Sequence, residues 1–215
     1  MLSEFPHLTT PEFEAACNGL MAKFDRCGTG QNVWQTVENV CQHETKYLRI
    51  TKSLPNVTSS VAAAGVEVEP DELEEDDDEV LQTTGESQPL ILYDILLSPI
   101  YRVPVLYISI SDTQHRYPPT MRTLYEHLIP PQFKAQAETG GVIGGISIQD
   151  HAATNRPVFF IHPCQTAEVM EASVGKQDIT AEEYLVMWIG ALGKCVGLNV
   201  PLALMQRDAS YSTKT

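Results

Sequence analysis

The stretch PLILYDILLSPIYRVPVLYISIS, residues 89–111, decides the fold class of this chain. Its first half is almost continuously apolar, which is typical of a central strand. Ser98 and Pro99 then interrupt the run with turn-forming residues, and a second apolar run follows. We therefore predict two adjacent strands joined by a short turn, with the first strand in the middle of a sheet.

More strands are indicated on either side of this pair. Residues 33–38 and 45–54 are strand-like, and the segments ISIQDHA (146–152) and PVFFIH (157–162) predict one more hairpin. Residues 120–128 predict a short helix. The Gly- and Pro-rich connection PPQFKAQAETGGVIGG (130–145) lacks the lysine of a phosphate-binding loop and is expected to be a mobile loop.

Two longer helices flank the strands. Residues 9–26 predict an amphipathic helix capped by Thr10, with Pro11 at its first position. Its apolar side chains recur at helical spacing: Phe13, Ala16, Cys17, Leu20, Met21 and Phe24. Residues 180–195 predict a second helix, which starts with a capping box of Thr180 and Glu183 and is ended by Gly197. A helical turn is expected at AEVMEAS (167–173). Strands grouped between helices favour an α+β fold, with helices packed on a mostly antiparallel sheet.

The charge of the chain is concentrated in one segment. The net charge is −14, but residues 67–86 carry 11 acidic side chains and no Lys or Arg. The rest holds 17 acidic against 14 basic side chains and has no basic stripe, so a nucleic-acid partner is not expected. We predict a single domain, 1–215, interrupted by a disordered acidic insertion at about 55–88. The insertion is either a solvated spacer or a docking arm for a basic partner.

The composition also limits location and cofactors. No run approaches the ~20 apolar residues of a membrane span, and the first residues, MLSEFPHLTT, do not resemble a signal peptide. The five cysteines form no C-x-x-C pair, so neither a zinc site nor a dithiol redox pair is indicated. We expect a cytoplasmic protein with no metal, no cofactor and no transmembrane segment.

One cysteine stands out, in VFFIHPCQT (158–166), where a strand-like run ends at His162-Pro163 and Cys164 follows. Four roles are open for it: a buried structural thiol, a metal ligand, a hydrolase nucleophile, or a carrier of a thioester in transthiolation. His162 is the only nearby metal ligand, and it fits a structural hydrogen-bonding role better than that of a catalytic base. Pro163 fixes the exit from the sheet, and a helix starting near Thr166 would favour the thiolate form.

Four segments together carry a family resemblance: YDILLSPIYRVPVLYISI, ISIQDHA, PVFFIHPCQTAEVM and VGLNVPLAL, within residues 89–204. They closely resemble the autophagy-related protein 10 family, which is similar to ubiquitin-conjugating enzymes. The resemblance implies a conjugating-enzyme-like fold. It also implies a transferase that accepts autophagy-related protein 12 as a thioester from the activating enzyme, autophagy-related protein 7. The modifier would then pass to a lysine of autophagy-related protein 5, in the cytoplasm and at the pre-autophagosomal site.

The same resemblance assigns roles to residues. Cys164 matches the thioester-forming cysteine. The His-Pro-Asn motif of ordinary ubiquitin-conjugating enzymes is missing, so another polar group must stabilise the oxyanion. In the family an amide side chain on the preceding strand, helped by a tyrosine, has this role. The candidates here are Gln149, Tyr93 and His151. Apart from the resemblance, the acceptor lysine must be held as a neutral amine, either by desolvation or by a nearby acceptor, for which Asp94 and Asp150 are candidates.

Two other functions remain open. A chain similar to autophagy-related protein 3 would transfer its modifier to a lipid. A non-catalytic adaptor would keep the fold for binding alone and would bury Cys164.

Overall fold

The computed structural model describes residues 2–55, 88–138, 145–175 and 179–205. In chain order, the elements there are helix α1 (Thr10–Cys27), strands β1 (Thr36–Gln42), β2 (Thr45–Ser53), β3 (Leu90–Leu97) and β4 (Pro104–Ser111), helices α2 (Met121–Thr123) and α3 (Pro131–Glu138), strands β5 (Ile146–Asp150) and β6 (Pro157–Ile161), and helices α4 (Thr166–Val174), α5 (Ala181–Leu192) and α6 (Leu202–Met205). A π-helical turn, Leu124–Leu128, continues α2, and 3-10 turns occupy Gly28–Gly30, Pro163–Gln165 and Gly193–Val196.

The six strands form one sheet in the order β1-β2-β3-β4-β6-β5, and all neighbouring pairs are antiparallel. Strands β3 and β4 lie in the middle, as the apolar run 89–111 predicts, and Tyr93 pairs with Ile108 between them. Helices precede and follow this strand-rich region. The predicted α+β class, with a mostly antiparallel sheet and packed helices, is therefore confirmed.

The main core lies between one face of the sheet and the helices. Alternate residues of the central strands point to this face, because successive strand side chains point to opposite sides. Tyr93, Ile95, Ile108 and Phe159 are buried there together with apolar side chains of α1 and α5. Burying each large apolar side chain contributes about 1.5–3 kcal/mol, so this layer holds the sheet and helices together.

The opposite face of the sheet carries a smaller apolar cluster. Its buried members are Tyr47, Leu96, Val105, Ala153 and Phe160. Four of them are strand residues, and the fifth, Ala153, belongs to the turn between β5 and β6, which folds over this face.

Helix α1 begins with a different cap from the one predicted. Thr9, not Thr10, is the N-cap: its hydroxyl accepts the backbone N–H of Glu12, and the Glu12 carboxylate accepts the N–H of Thr9 over 2.8 Å. The prediction was wrong because the capping box needs its acidic residue three positions after the cap, and Thr9 is the residue that meets this spacing. The predicted box of Thr180 and Glu183 at α5 is confirmed.

Other boundaries also needed correction. Strand β1 starts at Thr36, because Gln31 folds back and its side chain bonds both the N–H and the carbonyl of Trp34, which holds the preceding residues in a turn. Residues 131–138, predicted as part of a mobile loop, form α3, in which Pro131 suits the first helical position. The predicted acidic insertion at about 55–88 and the rest of that loop lie, apart from their ends, outside the described residues.

Candidate active site at Cys164

Cys164 lies just beyond the end of β6, in the 3-10 turn Pro163–Gln165 that leads into α4. Pro163 lacks a backbone N–H, so the strand ladder stops there, and its ring is buried in the turn. Cys164 itself is exposed. The local sequence therefore places the thiol outside the core, on a short turn anchored on one side by the sheet and on the other by a helix.

His162 closes this turn. Its ring Nδ1 accepts the backbone N–H of Cys164 over 3.2 Å. The backbone N–H of His162 donates to the carbonyl of Gly145 over 3.0 Å. Nδ1 can accept only when it carries no proton, so this hydrogen bond assigns the ring hydrogen to Nε2. The structural hydrogen-bonding role predicted for His162 is confirmed.

Tyr101 packs against the ring of His162, and the sequence reasoning did not single it out. The two rings meet edge-to-face with centroids 5.5 Å apart. Tyr101 belongs to the turn between β3 and β4, where its N–H donates to Ser98 Oγ over 3.2 Å, and it is 41% exposed beside Ile100, which is 85% exposed. The available signal was a pair of large apolar residues, Ile100 and Tyr101, directly after the turn-forming residues Ser98 and Pro99.

Gln149 does not meet Cys164. It lies on β5 opposite Val158, six residues before the cysteine, and its side-chain amide donates to Ser147 on its own strand over 3.1 Å. The end of β5 that approaches the cysteine turn is its start, next to Gly145. An oxyanion role for Gln149 stays a prediction that this geometry does not favour.

Tyr93 is a core residue. It is fully buried, and its hydroxyl donates to the carbonyl of Val196 over 2.9 Å. Burial raises the pKa of this phenol. With its hydroxyl occupied on the helix-covered face of the sheet, Tyr93 is placed to hold the Gly193–Val196 turn against β3.

His151 and Asp94 are brought together, but away from the cysteine. His151 precedes β6 and Cys164 follows it, so about 16 Å of strand separates the two ends. His151 Nδ1 accepts the N–H of Ala153 over 3.0 Å, and Nε2 lies 3.2 Å from Asp94 Oδ2, within ion-pair distance but off the line of a well-formed hydrogen bond.

Asp94 is also held by Arg49, in a bidentate pair with distances of 2.7 and 2.8 Å. Burial alone would raise the pKa of Asp94, but the Arg49 guanidinium and His151 outweigh it and hold that pKa below its ordinary value. Asp94 is therefore engaged as a buried carboxylate, and Asp150 lies at the end of β5 remote from Cys164. Neither is placed to accept a proton at the thiol.

The other cysteines differ from Cys164 either in exposure or in their position in the fold. Cys17 and Cys195 are buried, and burial raises the pKa of their thiols to about 12 and about 11. Thiols of this kind are poor nucleophiles, because the thiolate is the reactive form. Cys27 is half-buried and Cys41 is exposed, but neither lies in a turn between a strand and a helix.

The described part of the chain contains neither a metal-binding cluster nor a membrane-spanning helix. Within it, no group of three or more His, Cys, Asp or Glu side chains is arranged to hold a metal ion. No helix in the same residue ranges has the length and apolar character needed to cross a membrane.

Comparison with known proteins places this site in a family. Residues 12–203 match the family model described as autophagocytosis associated protein, active-site domain. That match covers most of the chain, which therefore belongs to this family. Cys164, His162 and Tyr101 all lie inside the matched range.

Individual relatives support the same family assignment. The chain is similar to the ubiquitin-like-conjugating enzyme ATG10 of Gibberella zeae, with 36% identity over 113 residues, 52% of this chain and 46% of that protein. It is similar to the human protein of the same name, with 34% identity over 135 residues, 61% of this chain and 60% of that protein. The family resemblance inferred from residues 89–204 is thereby confirmed. The matched regions span about half of these relatives' length.

Among solved structures, the chain is similar to a crystal structure described as autophagic E2, Atg10. The TM-score is 0.43 and the sequence identity is 14%, with coverage of 87% of this chain and 97% of that one.

Proposed function

We propose that this protein is a conjugating enzyme for a ubiquitin-like modifier, which it carries as a thioester on Cys164. The observation that supports this most is the exposed thiol on a turn held by His162 and bordered by Tyr101, inside the range matched by an active-site family model. A carrier needs an accessible thiolate and a rigid mount, because the thioester arrives already activated. The adaptor hypothesis required a buried Cys164, and the exposure of this thiol disfavours it.

The reaction has two acyl transfers. In the first, the Cys164 thiolate attacks the C-terminal carbonyl carbon of the modifier on the activating enzyme, and the activating enzyme's thiolate leaves. In the second, a neutral lysine amine attacks the Cys164 thioester, the C–S bond breaks, and the Cys164 thiolate is released as the isopeptide bond forms. Neither transfer needs an oxidant or a reductant, and the amine proton passes to solvent or to an acceptor-side base.

In this scheme His162 and Tyr101 are positioning residues. The imidazole of His162 accepts a hydrogen bond from the backbone N–H of Cys164, so that the turn keeps one conformation while the acyl group is exchanged. Tyr101, in the turn between β3 and β4, packs on the imidazole of His162 and restrains it. A free lysine has a pKa of ~10.4, so the acceptor amine must lose its proton by desolvation in the complex.

As part of the same proposal, the modifier is autophagy-related protein 12, its activating enzyme is autophagy-related protein 7, and the acceptor is a lysine of autophagy-related protein 5. The names of the relatives, ubiquitin-like-conjugating enzyme ATG10, support the class of reaction. We place the reaction in the cytoplasm, where thiols stay reduced, with recruitment to the pre-autophagosomal site.

A loading and discharge assay tests the proposal. The full chain is incubated with the activating enzyme, ATP and each candidate modifier, separated on gels with and without reductant, and then mixed with the acceptor. We expect a reductant-sensitive adduct that is lost in Cys164→Ala and kept in Cys41→Ala, the control for the other exposed thiol. Exclusive loading of the modifier that is transferred to lipid would instead indicate the autophagy-related protein 3 type of activity. No adduct with any modifier would overturn the proposal.

A further inference from the structure

His151 is buried against the sheet and contacts residues of β2, β3 and β4. It is 2% exposed, although it belongs to the turn between β5 and β6. Its two nitrogens face Ala153 N–H and the Asp94 carboxylate, as described above. The rings of Tyr47 and Tyr107 lie beside it, with centroids 5.3 and 4.8 Å away. These contacts anchor the turn between β5 and β6 against the sheet.

A continuous series of rings leads from this anchor to the cysteine turn. Tyr107 packs on Phe160 with centroids 4.9 Å apart, and Phe160 meets His162 at right angles with centroids 6.2 Å apart. These rings lie on the sheet face that the helices do not cover. We call this series the aromatic row; its members, in order, are Tyr101, His162, Phe160, Tyr107, His151 and Tyr47.

We infer that His151 is a positioning residue for Cys164, acting through the aromatic row. Its ring holds Tyr107 against Phe160, Phe160 supports the His162 imidazole, and His162 Nδ1 holds the Cys164 N–H. The link between the two ends of β6 therefore consists of packed side chains of β4 and β6 rather than a direct contact.

The packing of the row explains why a change at His151 is transmitted. Protein interiors are close-packed, so a smaller side chain at this position leaves a space beside Tyr107. The Tyr107 ring then shifts towards that space and releases Phe160, whose contact with His162 depends on an edge-to-face geometry. The imidazole of His162 is then no longer held in place by Phe160. Its hydrogen bond to Cys164 weakens, and the turn Pro163–Gln165 becomes more flexible.

The variant His151→Asn tests this inference. An asparagine oxygen can still accept the Ala153 N–H and so keep the turn, but its short side chain reaches neither Asp94 nor the rings. Tyr107→Leu breaks the aromatic row in its middle and leaves His151 beside Asp94. Arg156→Ala, in the same turn with an exposed side chain, is the matched control. Thermal melting first establishes that each variant is folded at the working temperature.

The readout is the backbone N–H of Cys164 in ¹⁵N-labelled full-length protein. We expect its chemical shift to move and its exchange with water to speed up about threefold to tenfold in both His151→Asn and Tyr107→Leu, and to stay unchanged in Arg156→Ala. A merely structural role would lower the melting temperature and leave this amide as it is. An unchanged Cys164 amide in folded His151→Asn overturns the inference, and an effect in His151→Asn but not in Tyr107→Leu overturns the route through the rings.

The consequence for catalysis rests on the proposed function. There we expect the rate of thioester loading at saturation to fall about threefold to tenfold in His151→Asn, with an unchanged KM for the charged activating enzyme. The amide measurement needs no modifier, so it decides the inference even if no modifier loads.

Discussion

The backbone N–H of Cys164 donates to Nδ1 of His162 over 3.2 Å, so the imidazole two residues before the thiol fixes the turn that presents it. This contact gives each residue of the His-Pro-Cys sequence a distinct role. Histidine supplies the acceptor, proline ends the strand ladder, and the cysteine is left exposed between strand β6 and helix α4.

Removal of the His162 acceptor should slow loading. In His162→Ala the Cys164 N–H loses its partner, at a cost of about 1 kcal/mol for a capping hydrogen bond, which corresponds to a rate about fivefold lower. His162→Asn should recover most of the loss, because its side-chain oxygen can accept an N–H two residues on. Single-turnover loading of the three proteins measures the effect. Equal rates in His162→Ala and the native protein would exclude a positioning role for this ring.

Tyr101 should matter for rate more than for stability. Its ring contact with His162 is of a kind worth about 0.5–1.5 kcal/mol, so Tyr101→Ala should lower the loading rate about twofold to tenfold. Because the side chain is 41% exposed, we expect the melting temperature to stay within about 3 °C of the native value. Tyr101→Phe keeps the ring and serves as the control. A loss of rate in Tyr101→Phe as large as in Tyr101→Ala would show that the hydroxyl, not the ring contact, is responsible.

The cysteines should react with iodoacetamide in an order set by burial. In the folded protein Cys164 and Cys41 should be alkylated, whereas Cys17 and Cys195 should be protected, because burial raises the pKa of the Cys17 thiol to about 12 and that of Cys195 to about 11. Denaturant should make all of them reactive. Peptide mapping by mass spectrometry after timed alkylation reports each site. Slow alkylation of Cys164 relative to Cys41 would contradict its exposed position.

The capping box of α1 should make stability depend on pH. Partial burial of Glu12 would raise the pKa of its carboxyl, but the N–H groups of Thr9 and Ser3 outweigh this and lower that pKa from 4.5 to about 2. A carboxyl whose pKa is lower in the folded state stabilises the fold above its ordinary pKa. That contribution is lost as the pH falls from about 4.5 to 2. Melting temperatures of the native protein and Glu12→Gln should therefore differ at pH 6 and converge near pH 2. A constant difference between them would show that the carboxylate charge plays no part.

The fold was predictable where the sequence pattern is local and strong. The apolar run 89–111 placed β3 and β4 in the centre of the sheet, and the spacing of Thr180 and Glu183 located the start of α5. The failures have local causes as well. Thr9 and Thr10 are both good caps, and only the distance to Glu12 chooses between them. The helix Pro131–Glu138 was not predicted, because the residues around it are rich in Gly and Pro.

The site was predictable only in part, because its members come from distant parts of the chain. Cys164 and His162 are neighbours and could be read together. Tyr101 reaches them because Leu106 pairs with Ile161, which brings the turn between β3 and β4 to the end of β6. That register is a tertiary property without a local signal. Gln149 was selected because it is an amide on the preceding strand, but the antiparallel pairing of β5 with β6 places it opposite Val158, away from the cysteine.

The central claim is that Cys164 carries the modifier through sulfur, and Cys164→Ser tests it most directly. An oxygen nucleophile at this position forms an ester in place of a thioester. We predict that the native adduct is cleaved by thiol reagents, whereas Cys164→Ser either fails to load or gives an adduct that withstands thiols and is cleaved by hydroxide. A thiol-labile adduct formed by Cys164→Ser as efficiently as by the native protein would contradict the account, because the modifier would then be carried by another cysteine.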